Sequence, residues 1–186
     1  MASNPKKSSL RKTLLEKRDS ISFDLIKISS KQIQTNLEKI EDYRNAQSIA
    51  FYYPIGSEVP TQNLMLKILS LGKDVLLPKV VGDELEFRKI RDLNSLEKGT
   101  FDIMEPKDIC EKADKIDVVI VPTVGISPNG SRLGYGHGYY DRFLAKVNVV
   151  SIALTYEKQI IKSVPFNQND VKIDWIVTED RAFKAQ

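Results

Sequence analysis

Cysteine is almost absent from this chain: Cys110 is the only one among 186 residues. That excludes an internal disulfide framework and fits a reducing compartment. In the polar stretch DICEKADK the thiol reads as a bystander and not as a nucleophile. No apolar run approaches the ~18 residues of a membrane-crossing helix. The amino terminus lacks the apolar core of a secretory signal. Repeats, low-complexity tracts and linkers are missing too, so residues 1–186 are read as one domain with a sizeable core.

Net charge is small over most of the length. The first 18 residues hold six Lys and Arg against Glu16 alone, whereas the remainder, with 22 basic and 24 acidic residues, is slightly acidic. The basic character therefore sits at one end, with no basic and aromatic stripe through the body to suit nucleic acid. MASNPKKSSLRKTLLEKR also has the basic, serine-bearing composition of a transit peptide, against which Glu16 and Asp19 weigh.

Helical spacing of apolar residues predicts helices over 8–18 and about 24–40, and Pro60 opens another over TQNLMLKILSL that stops at Gly72. Strands are expected at SIAFYYP (48–54), DVLLPK (74–79), ELEFRKI (84–90), DVVIVP (117–122), NVVSIALT (148–155) and KIDWIVTE (172–179), with a helix near 139–146. Near-continuous Val, Ile and Leu runs alternating with helices imply a three-layer α/β fold, a mainly parallel, Rossmann-like sheet with helices on both faces. Ligands of such sheets bind beyond the carboxyl ends of the strands.

One such end carries RLGYGHGYYDR (132–142). Glycines at 134, 136 and 138 open backbone conformations closed to other residues and let a ligand approach the main chain. Their amides, leading into a helix, make an anion site for phosphate, to which Arg132 can add a bidentate contact. Asp141 offers a hard carboxylate oxygen suited to Mg²⁺ beside phosphates, and Tyr139 and Tyr140 offer flat faces for a heterocycle. A dinucleotide fingerprint is the rival, with Glu157 about 20 residues further on. Against it, the spacing is G-x-G-x-G and about a dozen loop residues separate the strand from the glycines; nor does a Gly-Lys-Ser/Thr follow to make a Walker loop.

RLGYGHGYYDRFL strongly resembles the signature of the 5-formyltetrahydrofolate cyclo-ligases. Nearly the whole chain shares the likeness, through KSSLRKTLLEKRDSIS, YYPIGSEVPT, GKDVLLPKV, IMEP and FNQNDVKIDWIVTE. The resemblance implies an ATP- and Mg²⁺-dependent ligase closing 5-formyltetrahydrofolate to 5,10-methenyltetrahydrofolate, with release of ADP and phosphate. It implies that the formyl oxygen takes the γ-phosphoryl group and that N10 attacks the activated carbon.

By the same likeness Lys7 and Arg11, one turn apart on a helical face, contact ATP together with Arg132, Leu133, Gly134, Tyr135, Gly136, His137, Gly138, Tyr139 and Tyr140. The folate falls to Tyr53, Glu58 and part of that loop, Tyr135 to Tyr139. Arg132, Tyr140 and Asp141 take the catalytic roles, and Asp141 and Asp174 the metal. His137 departs from the pattern, since some members carry Lys there. It either donates to a phosphate, which would weaken ATP binding as pH rises through ~6.5, or faces solvent. The expectation is a cytoplasmic monomer acting on small molecules, without membrane or nucleic-acid partners. A non-catalytic nucleotide- or RNA-binding relative, or a ligase for a modified-pterin formyl carrier, is the alternative.

Overall fold

The computed structural model describes residues 5–186, so the transit-like composition falls partly on four residues outside the description. In chain order come α1 (Pro5–Asp19), α2 (Phe23–Leu37), α3 (Glu41–Asn45), β1 (Ser48–Ala50), α4 (Gln62–Ser70), β2 (Asp74–Val81) and β3 (Glu84–Ile90). They are followed by β4 (Leu96–Lys98), β5 (Met104–Pro106), β6 (Val118–Val121), β7 (Gly125–Ile126), β8 (Arg132–Leu133), α5 (Tyr139–Leu144), β9 (Val150–Leu154), β10 (Trp175–Val177) and β11 (Ala182–Lys184).

Seven strands form one sheet in the order β11-β10-β9-β6-β1-β2-β3. The five in the middle are parallel, and β3 and β11 run antiparallel at the edges. Side chains alternate between two cores, as a sheet covered on both faces requires. Ile49, Val118, Ile120, Ile152 and Val177 point toward α2, α3 and α4, in a cluster with Leu37, Tyr43 and Met65. Ala50, Val119, Val121, Ala153 and Ile176 point the other way, toward Leu144 of α5 and Phe87. The mainly parallel α/β sheet is as expected from the apolar runs.

α1 belongs to neither layer. Its Leu14 packs with Val124, Leu133 and Val164, so the helix lies across the loops at the carboxyl edge of the sheet. The sequence missed α3, β11 and the small ladders β4–β5 and β7–β8, all short. It also made the last long strand too long. Residues 171–174 bond elsewhere: the Val171 amide to Asp141, that of Ile173 to the Gly130 carbonyl, and that of Asp174 to Ser151 Oγ.

The parallel strands β2, β1, β6, β9 and β10 stand in the order 2-1-3-4-5, whose switch point lies between β1 and β6. Asp117 sets the register of that pair, accepting from the amides of Gln47 (2.9 Å) and Ser48 (3.0 Å). The Lys115 ammonium and these amides hold its carboxyl at about 2, against the opposite pull of burial. An unfolded Asp titrates near ~3.9, so the stabilisation is complete above about pH 4 and is lost as pH falls toward 2. Asp117→Asn should therefore show a shallower fall in its urea midpoint over that interval than the wild type. Equal slopes would mean that this carboxylate does not carry the link.

Candidate active site

β1 and β6 release their chains to opposite faces, and two loops occupy the crevice between the exits. After β6 the chain forms the hairpin β7–β8, whose loop holds Asn129-Gly130. Gly130 takes φ +83°, and the Ser127 amide donates to the Ser131 carbonyl at 3.0 Å. Gln159 ties the hairpin to the segment after β9 through the Val124 carbonyl, 2.7 Å away. The hairpin delivers Arg132 inward, with its side chain only 4% exposed. Its guanidinium donates to the Pro122 carbonyl (3.2 Å) and to Asp141 (2.9 Å), while Nε has no partner among the described residues.

The glycines follow. A Cβ on Gly134 would lie 2.6 Å from Arg132 Nη1, so the loop closes onto that guanidinium only without a side chain. Gly136, at φ +110°, holds a backbone conformation that other residues avoid. Arg11 reaches across from α1, donates to the Gly134 carbonyl at 2.7 Å and lies against Gly136. Lys7, one turn earlier, meets Asp170 at 2.5 Å. Arg142 donates to the His137 carbonyl at 2.9 Å. α5 has only six residues, so the positive character of the loop comes chiefly from guanidinium groups and not from a long helix dipole.

The loop after β1 forms the other wall. Tyr52 donates to the Val59 carbonyl and Thr61 to the Tyr52 carbonyl, at 2.8 and 2.7 Å, and between them they fix Glu58. Glu58 is buried and accepts from the Ile55 amide at 2.8 Å. Burial pushes its carboxyl up, while the Ile55 amide, Arg18 and Tyr135 draw it back. Tyr135 spans the two walls: it lies in the glycine loop, and its hydroxyl accepts from Arg18 at 2.8 Å. Burial and then the Glu58 charge push its phenol up to about 12, so it keeps its proton. Tyr53 is half-buried against the main core at the mouth of this wall.

Several expected residues sit differently from their reading. Tyr140 is not an open face. It packs against both cores, with the Arg132 guanidinium over its ring at 5.9 Å, and burial pushes its phenol up strongly. Leu133 is buried, and its carbonyl accepts from the Val124 amide. His137 is exposed, as one of its two readings had it, with its ring 4.7 Å from Phe101 and 5.9 Å from Tyr139. Arg142 covers the Tyr139 ring at 5.1 Å.

The two acids assigned to metal have different partners. Asp141 is held by Arg132 and the Val171 amide. Asp174 stands at the amino-terminal start of β10, where Ser151 donates both its amide (2.8 Å) and its hydroxyl (2.7 Å). No contact joins the two acids among the described residues. To meet Asp141, Asp174 would have to leave Ser151.

Arg18, Ser57, Asp170 and Phe101 escaped the sequence reading. Arg18 had a signal, lying seven residues beyond Arg11 on the same face of α1, but a basic helical face ordinarily meets solvent.

Comparison with known proteins gives the family and the fold likeness. The sequence profile of the 5-formyltetrahydrofolate cyclo-ligase family matches residues 3–179. The chain is similar to the 5-formyltetrahydrofolate cyclo-ligase of Mycolicibacterium smegmatis, 29% identical over 190 residues and 96% of each chain. The NMR structure of Aquifex aeolicus 5,10-methenyltetrahydrofolate synthetase superposes with a TM-score of 0.87 at 32% identity, covering 97% of this chain and 93% of that one. A 5,10-methenyltetrahydrofolate synthetase from Mycoplasma pneumoniae gives 0.75 at 26% identity, with 93% and 98% covered.

The Arg132–Asp141 pair makes the loop vulnerable, because removing one member leaves the other charge buried. Arg132→Met and Asp141→Asn should each cost roughly 3 kcal/mol in urea unfolding. The double variant Arg132→Met/Asp141→Asn should cost less than their sum by about 1 kcal/mol or more. Strict additivity would show that the pair does not hold the loop.

Proposed function

The chain belongs to the 5-formyltetrahydrofolate cyclo-ligase family, and from that premise we propose that it converts 5-formyltetrahydrofolate to 5,10-methenyltetrahydrofolate at the expense of ATP. Tyr135 is the observation that carries the reading. It belongs to the phosphate-type loop by sequence, and its hydroxyl accepts from Arg18, whose guanidinium also lies 3.9 Å from Glu58 of the other wall, so a nucleotide on the loop and a folate on the wall would lie against each other.

A formamide carbon is a weak electrophile and its oxygen a poor leaving group. In the proposed reaction the formyl oxygen attacks the γ-phosphorus and ADP leaves. The N10 amine then attacks the carbon of the resulting iminium phosphate and loses its proton, and phosphate departs with the former formyl oxygen as the ring closes. Such a transfer asks mainly for positioning and charge neutralisation. Arg11, Lys7 and the amides of 134–138 are assigned to the phosphates. Arg132 holds Asp141 and the base of the loop, Glu58 accepts an N–H of the pterin, and Tyr53 flanks it.

Mg²⁺ is assigned to Asp141 and the phosphate oxygens. The described residues gather no cluster of three or more His, Cys, Asp or Glu side chains, and Asp141 is 20% exposed. That donor set fits an ion that keeps several waters and takes one or two carboxylates. When bound, the ion would neutralise phosphate charge. No helix among the described residues is long and apolar enough to cross a membrane. Of the basic residues of α1, Arg11 bonds the loop at Gly134 and Arg18 at Tyr135, which supports a small anionic ligand there.

The test is an absorbance assay for the conjugated methenyl product. We expect a near-ultraviolet band that grows only with 5-formyltetrahydrofolate, Mg²⁺ and ATP together. Arg11→Ala should raise KM for ATP about tenfold, the loss of one charge-assisted hydrogen bond, with little change in KM for folate. Glu58→Gln should do the reverse. A flat trace from folded protein that binds both ligands would refute the assignment.

A further inference from the structure

Arg18 is the most buried cation of the site, with a side chain 3% exposed, in the last turn of α1. Three polar partners surround one guanidinium. Nε donates to Ser57 Oγ at 2.9 Å, and Nη2 donates to the Tyr135 hydroxyl at 2.8 Å. Nη1 lies 3.9 Å from Glu58 Oε1, too far for a hydrogen bond. Ser57 is itself fixed, donating to Asp19.

Nη1 and Oε1 are both buried, and neither finds a hydrogen-bond partner among the described residues. The Tyr140 hydroxyl, whose phenol the Glu58 charge also raises, is a third such atom. A buried ion pair held this far apart does not satisfy its own groups. One donor and one acceptor are left beside each other, which is what an adjacent N–H and C=O edge of a cyclic amide would complete. The pterin ring carries such an edge.

We infer that Arg18 couples the two substrates: through Tyr135 it senses the phosphate loop, and through its own Nη1 together with Ser57 and Glu58 it sets the folate wall. This rests on the cyclo-ligase reading above. Nucleotide on the loop fixes Tyr135, Tyr135 fixes Arg18, and Arg18 presents Nη1 and Glu58 Oε1 at the spacing the pterin edge needs. Folate bound first would order the loop by the same contacts. The effect must be equal in both directions, since coupling between two binding equilibria is reciprocal.

The experiment is calorimetric titration of 5-formyltetrahydrofolate into the full chain, with and without a non-hydrolysable ATP analogue and Mg²⁺. In the wild type the analogue should tighten folate binding about tenfold, within the ordinary range of coupling between sites. Arg18→Lys keeps the charge but gathers its donors on one nitrogen, without the planar fork that reaches Ser57, Tyr135 and Glu58 at separate points, and should reduce that factor to within about twofold of unity. Tyr135→Phe removes one hydroxyl from a side chain that still fits, and should do the same even if the lysine variant folds poorly. The double variant should lose no more than either single one.

A merely structural role would lower thermal stability and leave the factor intact. A wild-type factor of one, or a factor kept in Arg18→Lys or in Tyr135→Phe, would overturn the inference. With turnover still present in the absorbance assay, that result would leave the cyclo-ligase reading standing. A wild type that neither binds folate nor forms the methenyl band would overturn both.

Discussion

After Ala50 the chain turns toward the face covered by α4, and after Val121 it turns toward the face covered by α5. Two neighbouring parallel strands that send their chains apart leave a crevice at their carboxyl ends, and no packing element of either layer can fill it. The loop after β1 becomes one wall, with Glu58 fixed by Tyr52 and Thr61. The hairpin after β6 becomes the other, with Arg132 at its base. α1 roofs the crevice because Leu14 has an apolar seat on Val124 and Leu133.

That arrangement explains how a chain with a near-neutral body concentrates charge at one place. Lys7, Arg11 and Arg18 lie on one face of a helix that Leu14 anchors at the sheet edge; Arg11 and Arg18 reach the loop at Gly134 and Tyr135, and Lys7 meets Asp170. Space at the loop is limited by guanidinium groups on its backbone. Gly134 lies against Arg132 and Gly136 against Arg11, and a side chain at either position would compete with the group that supplies the charge. The glycines thus serve the arginines as well as an incoming phosphate.

Much of this was legible in the sequence. The parallel strands were readable because burial on both faces makes them continuously apolar, and the glycine loop because few structures need that spacing. What escaped detection depends on contacts distant along the chain. Arg18 and Asp170 look like solvent-facing charges until α1 is placed over the crevice. Tyr140 looked available for stacking, yet the first turn of α5 directs it between the two cores. Asp174 reads as part of the last strand and lies just before it, with Ser151 as its partner. α3 and β11 are too short to show a period.

The central claim is that the loop brings a γ-phosphoryl group to the formyl oxygen. The most direct measurement is a turnover of 5-formyltetrahydrofolate labelled with oxygen-18 in the formyl group, followed by mass analysis of the phosphate released. The account predicts one labelled oxygen in each phosphate and none in ADP. Methenyl product accompanied by unlabelled phosphate would contradict it, because ATP would then be cleaved without ever being joined to the substrate.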